Sequence, residues 1–251
     1  LANNHVLDWG RSGLEDTLST LSSNGLKHAG AGLSDHDTAE PAIIDLGSKG
    51  RIEVFAMGAT DSGVPLDWAA GRGKPGVNIV TDVSAAGARA IAEGIRQARR
   101  TDSLAVASIH WGSNWGYGIS ASERGFAHAL IDEGFVDVVH GHSSHHPKAI
   151  EIYKGRLIIY GCGDFLNDYE GIGGYEEFRS DLVLLYVARL SPRAGVLLTL
   201  ELVPFRIRRF RLEHAAEEDV AWLLHRLGRE YGRFGARLEA DASSRILVRW
   251  Q

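Results

Sequence analysis

The chain has 251 residues, of which 44% are hydrophobic and 24% charged, and its formal net charge is −5. This length and composition are typical of a globular protein with a substantial core, and the acidic balance argues against a general nucleic-acid binder. No apolar run approaches the roughly 18 residues that a membrane helix needs. The single cysteine, Cys162, excludes an internal disulfide and a thiolate zinc finger.

The chain begins Leu1-Ala2-Asn3-Asn4-His5, so one apolar residue is followed at once by polar, ligand-type residues. This pattern is typical of a strand end that runs into a loop, and we expect the strand itself to lie upstream of Leu1. The chain has neither an initiator methionine nor a signal-like segment. We therefore expect a preceding segment in the natural protein, which leaves the compartment open between the cytoplasm and export.

The first half of the chain alternates predicted helices and strands. Leu14, Leu18 and Leu21 share one face of a predicted helix over 12–24, which Gly25 would end. The next predicted elements are strands over 42–46 and 51–57, a glycine-rich loop over 60–76, a strand over 77–80, a helix over 82–100, a strand over 104–109, a helix over 122–132 and a strand over 136–139. Such alternation indicates an α/β fold.

The second half places strands one after another. Lys154-Gly155 predicts a hairpin turn between strands over 149–153 and 156–160. Further predicted elements are strands over 181–190 and 196–203, a helix over 217–231 and a closing strand over 245–250. Consecutive strands after alternating units favour two packed sheets with helices outside. Because no internal repeat or low-complexity linker interrupts the chain, we predict one domain over 1–251, truncated at its N-terminus.

Four of the eleven histidines lie in the run 140–146, directly after an apolar segment. Imidazole is the commonest protein ligand for transition metals. Asn4-His5 and His110 also follow predicted strand ends, where ligands gather in open α/β sheets. A lone histidine such as His110 is more often structural, whereas His142 and His145 across two serines are the strongest local pattern for a metal site. We therefore predict that three dispersed segments converge on one metal centre.

The other two histidines of the run are expected to support the site. His140 is interpreted as a core or supporting residue, and His146, held extended before Pro147, is expected to face solvent. The glycine-rich segment 161–174 lacks the Lys-Ser/Thr of a phosphate-binding loop, so we interpret it as a loop beside the pocket, with Asp164 supporting a histidine. Cys162 within it has no visible triad partner, which favours a structural role.

A basic strip consists of Arg206, Arg208, Arg209 and Arg211. It could hold an anionic polymer. The alternative is a solvated outer face, which is the base expectation for exposed arginine.

The motifs resemble a known superfamily. Asn4-His5, His110 and Gly141-His142-x-x-His145 look like the later motifs of the calcineurin-like metallophosphoesterases. The resemblance is closest to the bacterial capsule-synthesis, or poly-γ-glutamate-synthesis, group of CapA type. The matching stretches are Ala2 to Gly10, His110 to Gly112, Gly141 to His145, Ile150 to Gly155 and Tyr160 to Phe165, and together they cover at least residues 1–204 in order.

This resemblance implies a four-layer αββα sandwich of metallophosphoesterase type. It implies that Asn4, His110 and His142 would bind one metal and His145 a second, with His5 as the catalytic imidazole that protonates a leaving oxygen. The implied cofactors are two divalent transition metals, for which the ligands suit Mn, Fe or Zn. Asp8 would either orient the Asn4-His5 loop or serve the following helix. The residues implied at the pocket are Trp111, Asn114 and Trp115 at its mouth and Asp164 beside it.

Family members also carry two earlier acidic motifs, a Gly-Asp and an Asn-Leu-Glu segment, which would lie upstream of Leu1. Asn and neutral His contribute no negative charge, and two dications at the ~3.5–4 Å of a dinuclear site need an anionic bridge. We therefore expect the site to be incomplete in this chain and to bind metal weakly or singly.

The resulting hypothesis is a metal-dependent, phosphoesterase-like hydrolase related to capsule and poly-γ-glutamate biosynthesis proteins. Its substrate would be a small molecule or an anionic polymer, and its partners would be other capsule-synthesis proteins. The alternative is a non-catalytic factor that binds or assembles the anionic polymer. Neither hypothesis includes nucleic acid as a partner or a membrane segment in this chain.

Overall fold

The computed structural model describes residues 1–167 and 172–251. Over these residues the protein is a mixed α/β structure with five helices and several β-sheets, consistent with an α+β sandwich and with the predicted fold class. None of the helices in the described ranges is both long and apolar enough to cross a membrane. The chain divides into two compact units, and its organisation as one domain stays a prediction.

The first unit comprises Leu1–Gly112 and Ser120–Gly141. Its sheet has the strand order β2-β3-β6-β7, and β5 also pairs with β3. Strands β3 and β6 run parallel, whereas β2 is antiparallel to β3. The elements are α1 (Gly10–Ser23), β1 (Ala31–Gly32), α2 (Asp35–Ala39), β2 (Ala42–Asp45), β3 (Arg51–Ala59), β4 (Gly76–Val77), β5 (Ile79–Val80), α3 (Ala85–Ala98), β6 (Ser103–His110), α4 (Ala121–Gly134) and β7 (Val138–His142, whose last residue belongs to the second unit).

Small apolar residues let the helices α3 and α4 of the first unit pack closely. Ala88 and Ala92 on α3 are buried, and a Cβ added to Gly134 at the end of α4 would lie 3.2 Å from the Cβ of Ala92. Along β6, Ala105, Ala107 and Ile109 are fully buried and alternate with partly exposed neighbours. Burial of this face specifies the register of β6, and therefore where its last residue, His110, is placed.

The second unit comprises Ser113–Ile119 and His142–Gln251. It contains the antiparallel hairpin β8–β9 and an antiparallel sheet with the order β10-β11-β14-β13, in which β12 also pairs with β11. The elements are β8 (Ile150–Tyr153), β9 (Arg156–Ile159), β10 (Leu182–Leu190), β11 (Leu197–Arg208), β12 (Arg211–His214), α5 (Glu217–Gly232), β13 (Arg237–Ala240) and β14 (Ile246–Arg249). Lys154 and Gly155, both with positive φ, form the predicted hairpin turn.

The long, strongly patterned elements of both units were predicted with boundaries shifted by a few residues. The predicted strand over 77–80 was wrong in detail, because Asn78 interrupts it. The Asn78 side chain donates to the Ala56 carbonyl, and the Asn78 backbone N–H donates to the Gly30 carbonyl. The residues on either side of Asn78 therefore pair with different strands, β4 with β1 and β5 with β3. The short elements β1, α2, β12 and β13 were not predicted. Part of the predicted glycine-rich loop, residues 168–171, lies outside the described residues.

Candidate functional site

The Asn4-His5 loop lies directly before α1 and is held at its base. The backbone nitrogen of Leu1 donates to the Ala29 carbonyl at 2.7 Å, and Ala2 is 3% exposed. At its tip, the Nδ1 atom of His5 lies 2.8 Å from an Asp8 carboxylate oxygen, and both side chains are exposed. This pair agrees with the predicted role of Asp8 in orienting the loop, and it leaves the Nε2 atom of His5 turned away from Asp8.

His110 ends β6 and is buried. The Ser62 hydroxyl lies 2.9 Å from the His110 carbonyl and 2.8 Å from the Ala59 carbonyl, so its one proton is shared between them or donated to either. This contact ties the end of β6 to the turn after β3. Trp111, which follows, is 1% exposed and packs edge-on against Phe126 at 5.9 Å between ring centroids. In this structure Trp111 therefore contributes to the core of the first unit.

His142 and His145 lie on either side of a tight turn in the second unit. His142 is the half-buried last residue of β7, and Ser143 has a positive φ of 114°. Asn114 holds this turn from both its backbone and its side chain: its carbonyl accepts the His145 N–H at 3.0 Å, and its side-chain oxygen accepts the Ser143 hydroxyl at 3.3 Å. The structure thus places Asn114 against the turn that carries His145.

Asp164 contacts the imidazole of His145. The Nδ1 atom of His145 lies 3.0 Å and 3.2 Å from the two carboxylate oxygens, and Asn167 donates to the same carboxylate at 3.1 Å. A carboxylate at Nδ1 holds the ring in the tautomer that presents the Nε2 lone pair, which is the usual arrangement behind a metal-ligating histidine. The sequence-based assignment of Asp164 to a histidine agrees with this geometry.

Glycines bring Asp164 within reach of His145. A Cβ at Gly161 would lie 2.3 Å from the Ser144 hydroxyl, and one at Gly163 (φ 74°) would lie 2.9 Å from the Pro147 nitrogen. Only glycine therefore allows this segment to approach the turn so closely. A backbone hydrogen bond of 2.8 Å from Lys148 to Gly161 fixes the approach.

His146 is fully buried, so the prediction that it faces solvent was wrong. Tyr117 and Phe178 cover its ring at centroid distances of 4.5 Å and 4.7 Å. Its Nδ1 atom lies 3.1 Å from the Pro147 carbonyl, and its buried Nε2 atom has no hydrogen-bond partner among the described residues. Burial lowers the pKa of His146 to about 4, so the ring is neutral at physiological pH.

An aromatic stack next to His145 was not predicted. Trp115 lies flat against Tyr175, with ring centroids 4.2 Å apart, and its ring is 5.4 Å from that of His145. Tyr175 is 40% exposed. Trp115 was assigned to the pocket mouth, but nothing in the sequence connected it with Tyr175, which lies sixty residues further along the chain. The contact depends on tertiary folding.

Cys162 is unsuited to act as a nucleophile. Burial, together with the neighbouring Asp164 carboxylate, raises the pKa of the Cys162 thiol to about 12. Its sulfur lies 3.1 Å from the Gly163 carbonyl. A thiol with this pKa is protonated at neutral pH, and this agrees with the structural role assigned to it.

The candidate residues fall into two groups, one in each unit. The first group is Asn4, His5, His110 and Trp111, and the second is Asn114, Trp115, His142, His145 and Asp164. Within residues 1–167 and 172–251, no three His, Cys, Asp or Glu side chains lie together so that they could hold a metal ion. An amide oxygen and imidazoles fit Mn, Fe or Zn by donor type, and the Asp164–His145 pair fits a ligating histidine. Metal binding at these residues stays a prediction.

Comparison with known proteins agrees with the motif resemblance. Residues 1–169 match the family described as bacterial capsule synthesis protein PGA_cap. The chain is 45% identical over 239 residues to a probable polyglutamine synthesis accessory protein of Mycobacterium tuberculosis (strain ATCC 25618 / H37Rv), covering 95% of this chain and 63% of that protein. It is 31% identical over 168 residues to the PGA biosynthesis protein CapA of Bacillus subtilis (strain 168), covering 66% and 41%.

A third relative is the capsule biosynthesis protein CapA of Bacillus anthracis, 26% identical over 208 residues, with 83% of this chain and 47% of that protein covered. The chain therefore spans less than two thirds of the length of these relatives. The family match covers more than half of the chain and includes the Asn4-His5, His110 and His142–His145 motifs. On this match the chain belongs to the bacterial capsule synthesis protein family, PGA_cap.

Proposed function

We propose that this protein is a metal-dependent, phosphoesterase-like hydrolase that acts in the synthesis of an anionic capsule polymer. The observation that carries the proposal is the pairing of two site histidines with aspartates through Nδ1. His5 pairs with Asp8 at 2.8 Å in the first unit, and His145 pairs with Asp164 at 3.0 Å in the second. Each pair presents an Nε2 atom away from its carboxylate, as metal ligation or proton transfer requires.

The neighbouring His146 supports this interpretation by contrast. Among the described residues it has no carboxylate partner, and aromatic rings enclose it, as they would a packing histidine. His145, one residue earlier, has a carboxylate partner and a side chain that is 20% exposed. The carboxylate partner therefore distinguishes His145, to which we assign a role in the site, from His146, which packs against aromatic rings.

The proposed roles follow from these contacts and from the family motifs. Asn4, His110 and His142 would hold one divalent metal and His145 a second, and the metals would supply an activated water and charge stabilisation for the phosphoryl group. His5 would give a proton to the leaving oxygen, and the Asp8 carboxylate would stabilise its imidazolium form. Asp164 would hold the His145 ring in place without touching the substrate.

The substrate class is inferred from the relatives. Their names refer to PGA, polyglutamine or capsule synthesis, which supports a substrate from the assembly or release of a polymer of this kind. We propose a phosphoester or a γ-glutamyl amide as the bond that is cleaved. The second candidate function is a non-catalytic factor that binds the polymer, and the exposed arginines at the end of the β11–β12 hairpin favour it.

The test uses the full-length protein. Its metal content would be measured together with the hydrolysis of bis(p-nitrophenyl) phosphate by the wild type and by His5→Ala. We expect bound Mn, Fe or Zn in both proteins and a fall in kcat for His5→Ala of roughly 10²–10⁴-fold. The matched control is His36→Ala, which removes another exposed histidine of the first unit and leaves kcat unchanged.

Two outcomes would contradict the proposal at different levels. Metal that is retained without any His5-dependent turnover would reject the hydrolase and favour the binding factor. A full-length protein that contains no transition metal, and whose hydrolysis of the substrate is the same after His142→Ala, would reject the metal site itself.

A further inference from the structure

The hairpin formed by β11 and β12 has one apolar and one arginine-rich face. Ile207 is 5% exposed and lies opposite the half-buried Leu212. Because successive residues of a strand point to opposite sides, Arg206 and Arg208 on β11 share the other face. Arg211 on β12 is the direct partner of Arg208 and points the same way. Burial of the apolar face therefore specifies that these arginines face outward.

The end of this hairpin has few carboxylates to balance its charge. Arg206 is paired with Asp181 at 3.0 Å and with Asp219 at 3.6 Å, whereas Arg208 pairs, among the described residues, only with Glu213 at 4.0 Å. Arg209 and Arg211 form no ion pair within the described ranges. Like charges directly opposite each other on two strands are destabilising, so the Arg208–Arg211 pair would be stabilised by an external anion.

The arginine face borders a cavity of about 470 Å³. Arg206 and Arg208 line it from the hairpin, and the segment 172–181 lines its other side. The Asp181 carboxylate in this segment is already engaged by Arg179 at 2.8 Å and by Arg206 at 3.0 Å. Glu176 accepts a hydrogen bond from the Gly174 N–H at 2.8 Å. Arg208 is 62% exposed, and its only ion pair among the described residues is with Glu213 at 4.0 Å.

We propose that this hairpin face is a binding site for a polyanion that carries a carboxylate on each residue, such as poly-γ-glutamate. A guanidinium matches a carboxylate through two parallel hydrogen bonds. Arg208 and Arg211 lie directly opposite each other on the two strands, with Cβ atoms about 4.5–5.5 Å apart, so a chain with repeated carboxylates can contact both at once. The concave cavity favours a chain over a flat lipid surface. The choice of polymer rests on the proposed function, whereas the anion site rests on the arginines alone.

The test measures the binding of fluorescently labelled poly-γ-glutamate to the full-length protein by anisotropy. We expect Arg208→Gln combined with Arg211→Gln to weaken binding by roughly tenfold or more, because two charge-assisted contacts are lost. The matched control combines Arg193→Gln with Arg237→Gln, which removes the same charge from exposed positions of the second unit. The control should bind like the wild type. Added salt should weaken wild-type binding, as expected for exposed charges.

Four results would overturn the site: no wild-type binding to poly-γ-glutamate or to inorganic polyphosphate, binding by the hairpin variant equal to that of the wild type, an equal loss in the control, or binding only to vesicles of equal parts phosphatidylcholine and phosphatidylglycerol. Inorganic polyphosphate serves as a second probe. Binding to polyphosphate with none to poly-γ-glutamate would overturn the carboxylate assignment. Hydrolysis is measured separately, so a protein that binds the polymer through the hairpin but cleaves no ester would retain this site and reject only the proposed function.

Discussion

At the scale of single residues, the adjacent histidines His145 and His146 have opposite environments. Asp164 lies within 3.2 Å of one ring, and aromatic side chains enclose the other. Both residues sit in the same histidine run, and their types alone do not distinguish them. The residues that separate their roles, Asp164 and Phe178, lie 19 and 32 positions further along the chain.

The His145–Asp164 pair leads to a prediction about metal affinity. We expect Asp164→Asn to weaken Mn²⁺ or Zn²⁺ binding by the full-length protein by roughly 10–100-fold, because an amide holds the Nδ1 proton less strongly than a carboxylate. Isothermal titration with the metal would measure this. Asp102→Asn, which neutralises an exposed aspartate elsewhere, should leave the affinity unchanged. Equal affinities for Asp164→Asn and wild type would refute the positioning role.

Cys162 provides a second prediction at the residue scale. With its pKa raised from 9.0 to about 12, the folded thiol should react with iodoacetamide at pH 8 roughly a thousandfold more slowly than an unperturbed cysteine. Mass spectrometry of native and urea-unfolded protein would compare the two rates. Rapid labelling of the native protein would contradict the assignment.

The same shift has a consequence for stability. Because the fold raises the pKa of the Cys162 thiol, the protonated form stabilises the native state, and this contribution is fully present below pH 9. It should decrease as the pH rises from about 9 towards 12, since the unfolded chain then releases this proton and the native state retains it.

At the scale of elements, the two helices packed against each other in the first unit begin differently. Helix α4 has a capping box, in which the Ser120 hydroxyl accepts the Glu123 N–H at 3.0 Å and the Glu123 carboxylate accepts the Ser120 N–H at 2.7 Å. Helix α3 has only the Ser84 hydroxyl, which accepts the Gly87 N–H at 3.3 Å. The start of α4 is therefore held by two reciprocal hydrogen bonds, and the start of α3 by one long one.

The Ser120 hydroxyl makes the shorter cap, 3.0 Å against 3.3 Å for the Ser84 hydroxyl, which predicts unequal effects of the same substitution. We expect Ser120→Ala to lower the free energy of unfolding by about 1–2 kcal/mol and Ser84→Ala by about 0.5–1 kcal/mol. Urea denaturation of both variants would measure the losses. A loss for Ser84→Ala as large as that for Ser120→Ala would show that the shorter hydroxyl bond at the start of α4 contributes no more than the longer one at the start of α3.

A comparison of the elements also shows which of them local sequence patterns predict and which they miss. The helices α1, α3, α4 and α5 and the long strands β3, β6, β10 and β11 were predicted, because each has a regular apolar face or a continuous apolar run. The strands β12 and β13 were missed because each contains a single large apolar residue, Leu212 or Leu238. In addition, the β11–β12 turn is Arg209-Phe210, without the glycine or asparagine that signals a hairpin.

At the scale of the whole molecule, metal binding should raise the thermal stability of the protein. A ligand that binds only the native state stabilises it by about 2.7 kcal/mol at a hundredfold excess over Kd. We therefore expect Mn²⁺ or Zn²⁺ to raise the Tm of the full-length protein and EDTA to reverse the change.

The controls for this measurement come from the second unit. His145→Ala removes the proposed ligand of the second metal and should reduce the rise in Tm, whereas His225→Ala, which removes an exposed histidine on α5, should retain it in full. A rise in Tm that is undiminished in His145→Ala would show that His145 binds no metal.

The sequence by itself determined the fold class, the family and the candidate residues, because apolar periodicity and motif spacing are local properties of the chain. It assigned Asn4, His5, His110, His142 and His145 to the site from their motifs, and their roles as ligands and catalyst stay predictions. Only the tertiary structure decided which histidine is paired and which is packed. Asp164 reaches His145 because Gly161 and Gly163 let two distant segments approach closely, and no local pattern encodes that contact.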